Sequence, residues 1–196
     1  MFIQCDTIAS AKRELIQAIR EEGYEQHIEK GSFEKEATYR RQVPNVLVDI
    51  MTPQEKFDKP AHVTDLEIRK YAATLVDPDC PKNADYTYGE RIADQIQEVI
   101  AMMSYSKNTN QGVIEVGAPE DILLKNPPCL RLIQFMFYEE KLNMSVYFRS
   151  NDIESAFLMN MYGLAELQNI VAMIAGLEPG KISYMCAGAH IYIFGG

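Results

Sequence analysis

Apolar side chains recur every three or four residues in four stretches of the chain, a spacing that predicts amphipathic helices. These helices are expected from Asp6 to Gly23, from Thr64 to Leu75, from Ile92 to Met103 and from Met161 to Ala175. Asp6 is the expected N-cap of the first helix, and Thr64 with Glu67 forms a capping box that opens the second. The fourth stretch predicts a helix buried at the centre of the fold.

Other stretches alternate between apolar and polar residues or are continuously apolar, which is typical of β-strands. These strands are expected at residues 46–50, 113–116, 130–138, 142–148 and 181–194. Glu139-Glu140-Lys141 separates two of them and predicts a hairpin, and Pro179-Gly180 predicts a turn before the last strand. Because helices and strands interleave, we expect one α+β domain over residues 1–196, an α/β sandwich in which helices flank a mixed, twisted sheet.

The composition excludes several classes of protein. Hydrophobic residues make up 47% and charged residues 24% of the chain, as in ordinary globular domains, so a disordered or fibrous chain is excluded. The formal charge of −9 offers no field that would attract nucleic acid or an anionic membrane. No apolar run approaches the roughly 18 residues that span a bilayer, and the four cysteines form no CxxC pair. We expect a cytoplasmic protein with reduced thiols and no metal.

The first chemical candidate is a thiol. Pro127 and Pro128 stiffen the backbone before Cys129, at the start of an apolar strand. A thiol acts as a nucleophile where a cation stabilises the thiolate, although an arbitrary cysteine is more often a small buried hydrophobe. If the hairpin forms, Arg149 lies close to Cys129, where it could lower the thiol pKa and, with Ser150, bind a phosphate. An exposed turn is the commoner structure for such residues.

Polar side chains further along the chain could hold a nucleoside. His190 and Tyr192 are two residues apart in a strand, so they share a face; they could bind a sugar hydroxyl, or be a half-buried histidine beside an edge tyrosine. Asn160 stands ahead of the fourth helix, where its amide could read a base edge with one donor and one acceptor. A helix cap is an equally good explanation of Asn160.

Four motifs in order resemble the thymidylate synthase family, and within it the short archaeal type: PPCLRLIQF, YFRSND, the asparagine of FLMNMYGL, and AGAHIYIF. The resemblance runs through residues 86–194 and is densest after Pro127. It implies that family's fold, a homodimer with its sheets packed face to face, and transfer of a one-carbon unit to C5 of dUMP, giving dTMP. The donor would be 5,10-methylenetetrahydrofolate or a methanopterin analogue, acting as co-substrate.

The resemblance implies a role for each residue that matches a motif. Cys129 would add to C6 of the uracil ring, and Tyr88 would lie near the proton removed from C5. Asp152 would contact the pterin. Glu67 is the candidate for the family's general acid, although its position in a capping box explains it equally well.

Five further residues would bind the nucleotide if the resemblance holds. Arg149 and Ser150 match the pair that binds the 5′-phosphate. Asn160 matches the asparagine that reads O4 and N3 of uracil, and its amide favours uracil over cytosine. His190 and Tyr192 match the pair that binds the 3′-hydroxyl.

The sequence also departs from the family's pattern. Two adjacent arginines usually precede the strand before the nucleophile and reach the phosphate across the dimer, but residues 105–111 contain neither. Lys107, Arg40 and Arg41 are candidates to replace them. A diverged homologue is therefore the alternative, one that hydroxymethylates or binds another pyrimidine nucleotide or nucleoside, or a non-catalytic nucleotide-binding protein.

Overall fold

A computed structural model describes residues 1–29 and 37–194, in which strands and helices interleave as the sequence predicts. In chain order the elements are β1 (Phe2–Cys5), α1 (Ile8–Glu22), β2 (Tyr24–His27), β3 (Ala37–Ile50), α2 (Asp65–Thr74), α3 (Tyr88–Tyr105), β4 (Val113–Glu115), a 3₁₀ helix (Pro119–Leu123), β5 (Leu130–Tyr138), β6 (Lys141–Phe148), β7 (Asn151–Asp152), α4 (Phe157–Ala175) and β8 (Pro179–Phe194). The predicted single domain also takes in residues 30–36 and 195–196, which lie outside the described ranges.

The strands form one mixed sheet in the order β1-β3-β8-β6-β5-β4, with β2 beside β3 and β7 beside β8. β1 pairs with β3, and β6 and β7 with β8, in parallel, whereas the other neighbours are antiparallel. The predicted α+β class with a mixed sheet flanked by helices is confirmed. No helix in the described ranges is long and apolar enough to cross a bilayer.

The helices cover one face of the sheet. A row of paired residues across five strands points toward them, and every member is fully buried: Val48, Tyr184, Val146, Ile133 and Ile114. Helix α4 contacts the other three helices as well as β6 and β8, and most of its side chains are buried. The prediction of a central buried helix is therefore correct.

The structure differs from the sequence-based expectations at several boundaries. Thr7, not Asp6, caps α1, because its side-chain oxygen accepts the backbone N–H of Ser10. Helix α4 begins at Phe157, so Asn160 lies in its first turn rather than ahead of it. Pro179-Gly180 is the start of β8, not a turn. Strand β2 gave no signal because all its side chains are exposed, so no apolar alternation marks it.

The hairpin between β5 and β6 is tighter than expected. Tyr138 pairs with Lys141, so the loop has two residues and Lys141 belongs to the strand. Glu139 and Glu140 have φ of 53° and 59°, the left-handed pair that a type I′ turn requires. Asn-Gly is the usual sequence for such a turn, which is why Glu-Glu gave no signal for it.

Candidate active site

A cleft of about 730 Å³ opens where β6 and β8 separate at the edge of the helical layer. After Phe148, which pairs with Cys186, the chain leaves β6 and rejoins β8 at Asn151, opposite Ala189. Eight of the nine site residues predicted from the sequence line this cleft: Tyr88, Cys129, Arg149, Ser150, Asp152, Asn160, His190 and Tyr192. They come from α3, β7, α4, β8 and the loops before β5 and after β6.

Cys129 and Arg149 are brought together by the hairpin. The pairing of Leu130 with Phe148 makes Cys129 and Arg149 neighbours just beyond it, and the Arg149 backbone N–H donates to the Cys129 carbonyl at 2.9 Å. The Arg149 guanidinium donates to the carbonyls of Pro128 at 3.1 Å and Pro127 at 2.6 Å. A guanidinium has five N–H donors, so others remain for an anion.

The sulfur of Cys129 experiences two opposed influences. Burial raises the pKa of its thiol, whereas the charge of Arg149 lowers it, and burial is the larger effect. The expected influence of Arg149 is therefore present, but it does not bring the pKa below the ordinary cysteine value. Cys129 rests as a thiol at neutral pH.

A buried ion pair fixes the segment of chain that precedes Cys129. Asp121 in the 3₁₀ helix is 2% exposed and pairs with Arg91 of α3 at 2.6 Å and with Arg131 of β5 at 2.5 Å. Hydrogen bonds from Arg91 hold the pKa of the Asp121 carboxyl well below its usual range. The segment that leads to Pro127 is thus anchored between α3 and β5.

His190 lines the cleft as a neutral acceptor. It is 3% exposed, and burial lowers its pKa. Its Nδ1 lies 3.1 Å from the carbonyl of Gly188 and 3.3 Å from the Ser150 hydroxyl. Because the carbonyl can only accept whereas the hydroxyl can accept or donate, a proton on Nδ1 suits both contacts and leaves Nε2 as the acceptor. Among the described residues Nε2 is buried without a partner. The rings of His190 and Tyr192 meet edge to face at 4.9 Å, as their spacing in the strand predicts.

A chain of hydrogen bonds holds the amide of Asn160. Tyr71 of α2 donates its hydroxyl to Oδ1 of Asn160 at 2.6 Å, and Nδ2 of Asn160 donates to Oδ1 of Asn151 at 3.2 Å. Nδ2 of Asn151 in turn donates to the hydroxyl of Tyr184 at 3.1 Å. Asn160 is therefore a held amide rather than a helix cap. Tyr71 and Tyr184 gave no signal in the sequence, because only the packing of α2, α4 and β8 brings them together.

Two other predicted residues also make bonds at the cleft. The Tyr88 hydroxyl accepts the backbone N–H of Leu130, the residue after Cys129, at 3.2 Å. One Asp152 carboxylate oxygen accepts the backbone N–H groups of Glu154 and Ser155 at 3.0 and 3.2 Å, and the other accepts the Ser155 hydroxyl. Asp152 thereby also shapes the turn that leads into α4.

Glu67 is not among the residues that line the cleft. Its carboxylate accepts the backbone N–H of Thr64 at 2.9 Å and the Thr64 hydroxyl at 2.7 Å, and these bonds lower its pKa. An exposed carboxylate with a lowered pKa is poorly suited to deliver a proton near neutral pH. The capping box accounts for the position of Glu67. We therefore do not propose Glu67 as the general acid.

Arg40 is a cleft residue that the sequence singled out only as a replacement candidate. It lies on β3 opposite Tyr192, and its Nη2 donates to Gln26 at 3.2 Å. Within the described ranges its Nε is buried without an acceptor. Arg41, the next residue, instead donates to the carbonyl of Ile19 and pairs with Glu25. No group of three or more metal-ligating side chains occurs in residues 1–29 and 37–194.

Comparison with known proteins supports one family. The family model for thymidylate synthase matches residues 68–193. A Methanopyrus kandleri protein described as "Putative thymidylate synthase" is 32% identical over 147 residues, which cover 70% of each chain. A Methanothermobacter thermautotrophicus protein with the same description is 28% identical over 212 residues, 97% of this chain and 92% of that one.

Other matches are shorter or structural. The alignment with a Methanococcoides burtonii protein of that description, 32% identical over 132 residues, spans 61% of that protein's length and 64% of this chain. The crystal structure of thymidylate synthase from T4 phage superposes with a TM-score of 0.72, covering 92% of this chain and 76% of the phage chain at 20% identity. At that identity the superposition establishes the fold alone.

Proposed function

The chain belongs to the thymidylate synthase family, and from this premise we propose that it transfers a one-carbon unit from a methylene-bearing reduced pterin to C5 of dUMP, giving dTMP. The observation that carries the proposal is the convergence in one cleft of the Cys129 thiol with donors and acceptors suited to a phosphate, a sugar hydroxyl and a uracil ring. A volume of about 730 Å³ is in the range of small-molecule sites.

Cys129 would be the nucleophile. After losing its proton, the thiolate forms a bond to C6 of uracil, and the electrons of the C5–C6 double bond move toward C5 and O4. C5 can then bond to the one-carbon unit. Loss of the C5 proton and cleavage of the bond between the one-carbon unit and the pterin nitrogen would leave an exocyclic methylene on C5. A hydride from the reduced pterin, which is oxidised to the dihydro form, would convert this methylene to the methyl group as the sulfur departs from C6 and the C5–C6 double bond is restored. The positive charge of Arg149 favours the thiolate that this addition requires, and Tyr88 is close enough to the nucleophile to position the ring.

Asn160 would recognise the uracil ring. Its hydrogen bonds to Tyr71 and Asn151 leave one N–H and one lone pair of the amide for a ligand. Uracil offers O4 as an acceptor and N3–H as a donor, which match these two groups. The N–H given to O4 would also stabilise the charge that develops there when sulfur adds to C6.

Arg149, Ser150 and Arg40 would bind the 5′-phosphate. Arg40 lines the same cleft as Arg149, and its Nε lacks an acceptor among the described residues. A phosphate placed between two guanidinium groups accepts strong, charge-assisted hydrogen bonds. We therefore assign to Arg40 the part that the missing arginine pair plays in the family. The unpartnered Nε2 of His190 would accept the 3′-hydroxyl proton, with Tyr192 beside it.

The reduced pterin would supply the one-carbon unit and, for methylation, the hydride. Asp152 offers a carboxylate to pterin N–H donors, and three apolar side chains on the cleft wall offer a surface for its rings: Ile122, Leu124 and Ala156. These residues fit a heterocycle with N–H donors. Tetrahydrofolate and the methanopterin analogue share that feature.

A homodimer is the proposed assembly, formed through the open face of the sheet. Across five paired strands this face carries one row of apolar side chains: Phe2, Leu47, Met185, Tyr147 and Leu132. Phe2, Met185 and Tyr147 are 60%, 37% and 38% exposed. A continuous apolar row on a sheet surface favours burial against a second sheet.

Release of tritium from C5 tests the proposed reaction. With [5-³H]dUMP and either methylenetetrahydrofolate or its methanopterin analogue, the protein should release tritium to water, and chromatography should identify dTMP. Cys129→Ser should reduce the release to background, whereas Cys80→Ser should retain it, because Cys80 lies outside the cleft. Formation of 5-hydroxymethyl-dUMP would support the hydroxymethylating alternative. Binding of dUMP without tritium release would support a non-catalytic nucleotide-binding protein.

A further inference from the structure

We propose that Tyr71 is a positioning residue that fixes the Asn160 amide in the orientation that accepts uracil and rejects cytosine. The inference rests on the proposed function, because it concerns the same cleft. Tyr71 itself lies on α2, outside the four sequence motifs that carry the resemblance, although within residues 68–193, which the family model matches. It acts on the ligand through Asn160.

The ring of Tyr71 is held in place by close packing between α2 and α4. It lies against Gly163, one turn along α4 from Asn160, and a Cβ at Gly163 would stand 2.3 Å from ring atom Cδ1. Only glycine allows α2 to approach α4 so closely at this position. The close approach brings the Tyr71 hydroxyl to 2.6 Å from Oδ1 of Asn160.

The hydroxyl of Tyr71 is a permanent donor. Burial raises the pKa of the phenol, and charge interactions with Tyr88 and Cys129 raise it further. The phenol is therefore neutral and protonated across the physiological pH range. In the structure the hydroxyl donates to Oδ1 of Asn160 at 2.6 Å, so the oxygen end of the amide faces Tyr71.

The nitrogen end of the Asn160 amide is held through Asn151 by a tyrosine in the core. Tyr184 is fully buried, and this burial, together with the neighbouring Cys186 thiol, raises the pKa of its phenol, so the hydroxyl stays protonated. Its oxygen accepts from Asn151 Nδ2 at 3.1 Å. The oxygen of the Asn151 amide then faces Asn160 and accepts from Asn160 Nδ2. The hydrogen bonds thus run in one direction: Tyr71 donates to Asn160, Asn160 to Asn151, and Asn151 to Tyr184.

The direction of these hydrogen bonds determines which base the Asn160 amide can bind. The free groups of Asn160 are one N–H on Nδ2 and one lone pair on Oδ1, and these match O4 and N3–H of uracil. Cytosine presents an amino group and a bare N3, so it would need the amide reversed. Reversal would remove the hydrogen bond from Tyr71 or require the whole chain of bonds to turn over, which disfavours cytosine.

Calorimetric titration with dUMP and with dCMP tests the role of Tyr71. The wild-type protein should prefer dUMP. Tyr71→Phe keeps the ring against Gly163 and removes only the hydroxyl, so the ratio of the two affinities should fall about tenfold, the effect of losing one hydrogen bond. Tyr162→Phe is the matched control, since it removes a buried phenolic hydroxyl from α4 that makes no hydrogen bond in the described residues. The ratio of dUMP affinity to dCMP affinity in Tyr162→Phe should equal that of the wild-type protein.

The possible failures are distinguishable. A wild-type preference for dUMP that persists unchanged in Tyr71→Phe would overturn the role of Tyr71 and leave the proposed function standing. Equal loss of affinity for both nucleotides would also overturn it, because a merely structural hydroxyl gives that result. A wild-type protein that binds neither nucleotide would contradict the proposed function, and the role of Tyr71 would fall with it.

Discussion

At the residue scale, the reactivity of Cys129 is set by burial opposed to one positive charge. Burial favours the neutral thiol, and Arg149 favours the thiolate. Because burial has the larger effect, less of the sulfur is ionised at neutral pH than in an ordinary cysteine. Thiolate forms at a pH above that of an ordinary cysteine, unless a ligand changes the surroundings of the sulfur.

The charge of Arg149 should be visible in the pH dependence of alkylation. Arg149→Gln removes an influence that lowers the thiol pKa, so the midpoint of iodoacetamide labelling at Cys129 should move to higher pH. Arg149→Lys retains the charge and should keep the wild-type midpoint. Peptide mass spectrometry across a pH series separates Cys129 from the other three cysteines. A midpoint that stays in place or falls in Arg149→Gln would show that the guanidinium acts only by holding the loop.

The contribution of Arg40 can be measured against its neighbour. Arg40→Gln should lower the affinity for dUMP about tenfold, the effect of losing a hydrogen bond to a charged group, without changing that for deoxyuridine, which lacks the phosphate. Arg41→Gln is the matched control, because Arg41 binds Ile19 and Glu25 rather than the cleft. Calorimetry with both ligands gives the comparison. An equal loss for dUMP and deoxyuridine would remove Arg40 from the phosphate site.

Some cleft residues are placed by local sequence patterns, and these could be predicted from the sequence. Others are placed only by packing between distant elements, and these could not. Cys129 and Arg149 are adjacent because one hairpin pairs the strands beside them, and hairpin pairing is readable from the sequence. His190 and Tyr192 share a face because strand side chains alternate. Tyr71 reaches Asn160 only because α2 packs against Gly163 of α4, and Arg40 reaches the cleft through the pairing of β3 with β8. No local pattern encodes those two contacts.

At the element scale, the β5–β6 hairpin has a sequence that does not suit its geometry. Glu139 and Glu140 both adopt positive φ, which costs about 1–2 kcal/mol per residue for a side chain with a Cβ. Replacing the pair by Asn-Gly should therefore raise the free energy of unfolding by about 1 kcal/mol or more. Urea denaturation measures the change.

A second variant separates turn geometry from charge. Removing two carboxylates from a chain of net charge −9 reduces repulsion in itself. Replacing Glu139 and Glu140 by Ala-Ala removes the same charge and keeps the unfavourable backbone, so its gain should be clearly smaller than that of Asn-Gly. Equal gains in both variants would assign the effect to charge and not to the turn.

Helices and strands also differ in whether local sequence patterns predict them. The apolar periods of α1, α3 and α4 and the strands β4 to β6 and β8 were readable from the sequence, because each buries one regular face. Strand β2 was missed because it is held by pairing with β3 rather than by a buried face. The start of α4 was placed four residues late, since no side chain caps it.

At the scale of the whole molecule, the charge of the cleft is opposite to that of the chain. The protein carries −9 overall, yet Arg40, Lys125 and Arg149 line one cleft. A local cluster of cations in an acidic protein favours a small anion over a large polyanion, because a nucleic acid would also meet the acidic surface. The combination is consistent with a mononucleotide as the ligand.

The open face of the sheet predicts the state of assembly. Light scattering at micromolar concentration should give the mass of a dimer, and Met185→Lys should give a monomer, because it places a charge at the centre of the apolar row. Lys70→Met, on the exposed surface of α2, is the control and should remain a dimer. A wild-type monomer at these concentrations would contradict the proposed interface.

In the proposed reaction, the sulfur of Cys129 bonds to C6 of a pyrimidine nucleotide held in this cleft. In 5-fluoro-dUMP the fluorine at C5 cannot leave as the proton does, so the adduct of sulfur, nucleotide and one-carbon donor should persist. Mass spectrometry of digested protein, after incubation with this nucleotide and the methylene-bearing pterin, measures it directly. The added mass is expected on the peptide that contains Cys129 and nowhere else. An adduct on another cysteine, or an unmodified Cys129 in protein that has bound the nucleotide, would contradict it.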